Sequence, residues 1–279
     1  MKHWRLDDVP WDRFDPARVD LAMIELVKAA AMVERNGTEY ARYLNRVFRD
    51  DPPFQQAADN WAEEEVQHGE ALGRWAMLAD PRWDYRAAFE RYKAGYKLPF
   101  DAPSSIRGSR SGELIARCMV EIGTSSYYSA LAEAAAEPVL NEICRRIAAD
   151  EFRHFKLFYD HLRRYLGRER IGLPRRLWIA LGRINESEDD ELAYAWHAAN
   201  EPPALPYGHR RCIAAYMSRA AGYYRFRHVE RGVGMVLKAV GLKPRGRLSD
   251  ASARLAWRLV QRRRRRFLAE VAALSPAQA

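Results

Sequence analysis

Apolar residues recur at helical spacing through most of the chain, and period-two alternation is absent. Ile24, Val27, Ala31, Ala41, Leu44 and Phe48 share one face of a long predicted helix from Pro16 to about Phe48. Asp50-Asp51-Pro52-Pro53 ends it and caps the next, since proline costs little in a first helical turn. That second helix, about 53–79, carries Phe54, Ala58, Trp61, Leu72 and Trp75 on one side. A third, about 111–136, aligns Leu114, Cys118, Ser125, Tyr128 and Ala132. Pro138 opens a fourth, about 138–166, with Ile143, Ile147, Phe158 and Leu162 in phase and Gly167 expected as its C-cap. Further helical patterns cover about 174–186, 189–200, 208–240 and 249–273. Residues 1–15 read as irregular, and Pro81, Pro99, Pro103 and Gly108 mark 80–111 as a mixed crossover. The expected fold class is all-α.

The inward faces of the first four helices also carry charge, where charge is costly unless paired or metal-bound. The chain holds two E-x-x-H pairs, Glu65–His68 and Glu151–His154, each on the apolar face of its helix. Positions i and i+3 project from the same side, so each pair aims a carboxylate and an imidazole together. Glu34 and Glu121 fall on the same inner faces of the first and third helices. One Glu from each of two helices and a Glu-x-x-His from each of two others is the ligand set of a di-metal carboxylate bundle. Four carboxylates are neutralised by two divalent ions, and the donors suit iron or manganese. Glu34 is preferred to Glu25 and Glu39 because it stays in phase, and Glu63 and Glu64 are expected to point elsewhere when Glu65 points inward. Gly37, Gly69, Gly123 and Ala148-Ala149 adjoin the proposed ligands, as backbone room for a cluster would require.

The segments Trp61-x-x-x-Glu65-x-x-His68-Gly69 and Ala148-Ala149-Asp150-Glu151-x-Arg153-His154 resemble the paired metal motifs of the soluble acyl-carrier-protein desaturases. These belong to the ferritin-like di-iron proteins. The resemblance covers about residues 16–166 and implies a ferritin-like four-helix bundle with two iron ions, manganese being an alternative at either position. It further implies that Thr124 lies beside the oxygen-binding position, that Asp150 orients His68, and that Trp61 stands near the cluster. The activity implied is oxygen-dependent desaturation or hydroxylation of a small or carrier-bound organic substrate, with an external electron donor. Ile147 stands where arylamine N-oxygenases place an extra histidine, and the cysteines of a rubrerythrin are missing.

Charge divides the chain. Residues 167–279 hold 22 Lys and Arg against 10 Asp and Glu, whereas residues 1–166 hold 24 against 27. The expected organisation is an N-terminal segment (1–15), the bundle (16–166) and a basic helical C-terminal extension (167–279). Trp257, Leu259, Phe267, Leu268 and Val271 interleave with Arg254, Arg258 and the run Arg262 to Arg266, a basic amphipathic helix suited to an acidic partner. Acyl carrier protein, RNA or an anionic membrane surface would each answer that charge, and a homodimer is a further expected partner. A tRNA-modifying di-iron hydroxylase and a ferroxidase or iron-binding protein are the competing functions. Three isolated cysteines, no long apolar run and no leader-like N-terminus lead to a cytoplasmic expectation. His161, His197, His209 and His228 show no metal-ligand spacing.

Overall fold

The computed structural model describes residues 3–97, 104–186 and 190–274, and among these every regular element is helical. Asp189, Pro99 and Pro103, used above to place element ends, lie outside the described residues. The chain is all-α. Three 3-10 turns, Leu6–Asp8, Trp11–Arg13 and Pro16–Arg18, precede α1 (Leu21–Arg35) and α2 (Gly37–Val47). Then come α3 (Pro52–Ala79), α4 (Tyr85–Gly95), α5 (Arg110–Ala134) and α6 (Pro138–Glu169). The C-terminal part holds α7 (Leu173–Asn185), α8 (Asp190–Asn200), α9 (His209–Tyr223), α10 (Phe226–Val240) and α11 (Arg247–Leu274). None of the described helices is long and apolar enough to cross a membrane.

Side-chain caps fix where the helices begin. Asp20, Asp51, Asp84, Ser109 and Glu137 each accept from a free backbone N–H in the first turn of the helix that follows. Two of these caps also tie helices together. Asp51, at the start of α3, takes Arg164 and the Tyr165 hydroxyl from the end of α6. Trp75, near the end of α3, donates to Glu137 at the start of α6 at 2.7 Å. The two helices are therefore antiparallel. Glu169, at the end of α6, accepts from the backbone of Arg110 and Ser111 at the start of α5, so that pair is antiparallel as well.

Five boundaries differ from the sequence pattern. The first helix begins at Leu21, because Asp20 caps it and Pro16 is spent in a 3-10 turn. It then breaks at Asn36, where the chain passes α3 so closely that a Cβ on Gly37 would lie 2.5 Å from Glu65 Cβ. The crossover contains α4, whose Tyr85, Ala88 and Tyr92 are buried one turn apart. Gly167 does not end the fourth helix; Arg170 takes the left-handed conformation (φ 51°), and the Glu169 contacts hold the last turn in place. The span 208–240 is two helices, divided at Tyr224-Arg225, with His228 Nδ1 accepting from the Arg225 N–H at the start of the second.

The apolar side chains form two cores. One combines residues of α1, α3, α5 and α6 with α4, α8, α9 and Phe267 of α11. The other combines α2, α3, α5 and α6 with α7 and α10. The residues after 166 thus help to build both. On α11, Phe267 is buried and Trp257 and Val271 are partly covered, while Leu259 and Leu268 are exposed among the arginines.

Candidate metal centre

Glu34 near the end of α1, Glu65 and His68 on α3, Glu121 on α5, and Glu151 and His154 on α6 are brought together between the cores. None is more than 8% exposed. They form two overlapping groups, Glu34, Glu65, His68 and Glu151, and Glu65, Glu121, Glu151 and His154. Within each group one ligand atom per residue lies within 4.8 Å of all the others. Glu65 and Glu151 belong to both groups, so each could serve two ions at once.

The donor atoms themselves test whether metal fits. Glu34 Oε2, Glu65 Oε1, His68 Nδ1, Glu121 Oε1, Glu151 Oε1 and His154 Nδ1 are all buried, and none has a hydrogen-bond partner. One atom from every residue of the set is unsatisfied, in a protein interior where such atoms are rare. His154 Nδ1 approaches Glu65 Oε1 to 3.0 Å, but without the alignment of a hydrogen bond. His68 Nδ1 stands 3.5 Å from Glu34 Oε2 and 3.4 Å from Glu151 Oε1. Two divalent ions would satisfy all six atoms and cancel four negative charges.

The remaining atoms are held from outside. His68 Nε2 lies 3.0 Å from Asp150 Oδ2, and His154 Nε2 lies 3.0 Å from Glu64 Oε2. A carboxylate on the outer nitrogen fixes the tautomer and turns the lone pair of Nδ1 inward. Arg153 joins these two supports, donating to Asp150 at 2.5 Å and to Glu64 at 3.1 Å. Trp4 donates to Asp150 at 2.7 Å and stacks on the His68 ring at 6.0 Å, while Gln67 donates to the Trp4 carbonyl at 3.1 Å. The N-terminal segment therefore walls the His68 side. Tyr128 donates to Glu34 Oε1 at 2.6 Å, and the Thr124 hydroxyl meets Glu151 Oε2 as well as the carbonyls of Val120 and Glu121. Trp61 sets its ring edge-on to His154 at 6.4 Å.

Several of these partners escaped the sequence pattern. Glu64 does not point elsewhere: its neighbour Glu65 enters the centre while Glu64 flanks it and reaches His154 from the side. A one-residue step on a helix turns about 100°, enough to meet a different face of the same imidazole. Glu63 is exposed as expected. Tyr128 stood on the inner face of its helix, but nothing in the spacing joined it to Glu34, and Trp4 gave no signal beyond being aromatic. Gly37 and Gly69 serve close approach, for a Cβ on Gly69 would lie 2.6 Å from the Arg35 backbone nitrogen. Gly123 does not; nothing stands within 4 Å of where its Cβ would be. His197 does gather with Glu201 and Cys212. There, however, Arg211 binds both Glu201 oxygens at 2.8 Å and His197 takes one at 2.6 Å, so that cluster is already charge-satisfied.

Without metal, the centre holds protons instead. Burial, then the charges of neighbouring carboxylates, push Glu65 and Glu121 well above the ordinary carboxylate range. Burial opposes charge on His154, but the nearby carboxylates of Glu151 and Glu64 outweigh it and hold the imidazole up at about 10. His68 is raised in the same way by Asp150, Glu151 and Glu34 against the cost of burial. Burial also pushes Glu151 up, yet the two histidines draw it below the usual range. Proton affinity is thus raised at His68, His154, Glu65 and Glu121, and a metal would compete with protons for these groups. Metal uptake is expected to release protons, and affinity should rise with pH; calorimetry in buffers of different ionisation enthalpy reads this directly. Uptake with no proton release would contradict the assignment.

Neither a known family model nor a curated protein sequence matches this chain significantly.

Proposed function

We propose that the protein is a di-iron oxidase of ferritin-like architecture, using dioxygen to desaturate or hydroxylate an organic substrate. The observation that carries this reading is the convergence of six unsatisfied buried donor atoms from four helices, with Glu65 and Glu151 shared. Two ferrous ions bound there supply the chemistry that side chains lack, the reductive activation of dioxygen, and an external donor must provide the electrons. Manganese fits the same oxygen and nitrogen donors.

The chain's own residues would do the rest. Asp150 and Glu64 keep the two imidazoles oriented and their outer protons in place. Tyr128 fixes the Glu34 carboxylate by one oxygen, leaving the other for metal. Thr124 places a hydroxyl on Glu151, where it can pass a proton to or from a group reacting at that side of the centre. Trp4, packed over His68 and Asp150, keeps water from that wall.

Thr124→Val keeps the shape and removes the hydroxyl. Iron content should stay at the parent value, whereas the yield of oxidised substrate per dioxygen consumed should fall. An unchanged yield would make the hydroxyl structural. The reading as a whole is tested by oxygen uptake of iron-loaded, reduced protein. Uptake coupled to an organic product supports it. Uptake that only converts added ferrous iron to a stored ferric product identifies a ferroxidase instead.

A further inference from the structure

Two neighbouring helices turn apolar side chains to solvent. On α7, Trp178 is 80% exposed and Leu181 57%, while Ile179 and Ala180 are buried. Pro174, Trp178, Leu181 and Asn185 fall at i, i+4, i+7 and i+11, one stripe along the outer side of the helix. On α11, Ala253 and Phe267 are buried, and Leu248, Leu255 and Leu259 run along the opposite side, 48 to 58% exposed. Their spacing of seven and four again marks one stripe. The stripes adjoin: Arg263, one turn after Leu259, donates to Asn185, one turn after Leu181, at 3.4 Å. A single surface leucine is ordinary, but a tryptophan and four leucines on two touching helices form the kind of patch that marks an interaction site.

Charge says what the partner is. α7 holds Arg175, Arg176 and Arg183 and no acid. α11 holds eight arginines against Asp250 and Glu270, and Glu270 is already met by Arg210 at 3.0 Å and Arg266 at 3.6 Å. Arg258 and Arg262 flank the leucine stripe and are exposed. A second copy of the chain would set the same positive face against this one, which disfavours self-association. A nucleic acid would answer the arginines but leave the leucines in water. An anionic bilayer answers both. Its headgroups take the guanidinium groups and its acyl boundary takes the apolar side chains, at the depth that tryptophan favours. Neither helix is long and apolar enough to cross a membrane, so both would lie along its surface.

We propose that α7 and α11 together form a membrane-docking face. Both helices lie along an anionic bilayer, with Trp178, Leu181, Leu255 and Leu259 in the headgroup–acyl boundary and Arg258 and Arg262 among the lipid phosphates. Docking requires no metal and stands apart from the oxidase reading.

Co-sedimentation of the full chain with vesicles tests this. The probes are phosphatidylcholine alone, and phosphatidylcholine mixed with phosphatidylglycerol or with phosphatidylserine. The parent should bind both mixtures alike and phosphatidylcholine alone far less, and its affinity should fall as salt rises. Arg258→Gln and Arg262→Gln should each weaken binding about fivefold. Trp178→Ser, and Leu255→Ser combined with Leu259→Ser, should each weaken it about tenfold or more. Their Tm should stay at the parent value, because the replaced side chains are exposed. Vesicles with brominated acyl chains should quench the parent's tryptophan emission, and Trp178→Phe should still dock yet lose that quenching. No binding of the parent to the mixed vesicles at low salt would overturn the proposal. So would serine variants that bind as tightly as the parent, since the contact would then be charge alone. A dimer that Trp178→Ser dissociates, or retention by polyuridylate that the serine variants keep, each without vesicle binding, would overturn it in favour of a second copy or of nucleic acid.

Discussion

Glu65→Ala should empty both metal positions at once. Glu65 belongs to both groups of candidate ligands, so its loss would remove a donor from each proposed position. Glu34 and Glu121 serve one group each, and replacing Glu121 by alanine should leave the ion on the Glu34–His68 side. The parent is expected to hold about two irons per chain, Glu121→Ala about one, and Glu65→Ala close to none, by metal analysis after desalting. The fold should survive the loss. Burial and two neighbouring carboxylates push the Glu65 carboxyl up, so its charged form is disfavoured in the metal-free protein. The Tm gain that iron gives the parent should disappear in Glu65→Ala. Full iron occupancy in this variant would remove Glu65 from the ligand set.

Asp150→Asn should weaken one ion far more than the other. The carboxylate receives His68 Nε2 at 3.0 Å and is itself held by Trp4 and Arg153. Its charge makes the outer nitrogen the protonated one and the inner nitrogen the donor. Asparagine keeps the size but loses the charge, and changes to such outer partners commonly cost 10- to 100-fold in metal affinity. The loss should fall on the ion bound by His68, since His154 takes its outer support from Glu64. A competition titration against a chromophoric chelator should resolve one weakened and one near-parental site. Equal weakening of both, or no change, would show that Asp150 does not act through His68.

The inner faces were legible because burial enforces helical periodicity. Glu34, Glu65, His68, Glu121, Glu151 and His154 stood in phase with Ile24, Trp61, Leu114 and Ile147, and an acid in such a stripe is conspicuous. What the pattern could not carry is contact between elements distant in sequence. Trp4 reaches Asp150 across 146 positions, and Tyr128 reaches Glu34 across 94. Glu64 was misplaced because periodicity assigns each residue one direction, while an imidazole accepts partners from two.

Local breaks were illegible for a related reason. The sequence around Asn36 continues the helical stripe, and only the approach of Gly37 to Glu65 shows why the helix must break there. Helix α4 was hidden by the prolines on either side of it, although Asp84 supplied a cap and Tyr85, Ala88 and Tyr92 the spacing. The arginines of α11 were visible as charge, but exposed Leu259 and Leu268 beside buried Phe267 could be told apart only once α9 and α10 were in place.

The central claim is that these six side chains hold two ions, and anomalous diffraction at the iron edge from crystals grown with ferrous iron tests it most directly. Two peaks are predicted, one contacted by Glu34 and His68, the other by Glu121 and His154, with Glu65 and Glu151 reaching both. A single peak, or none, with the six side chains bonded only to one another and to water, would contradict it.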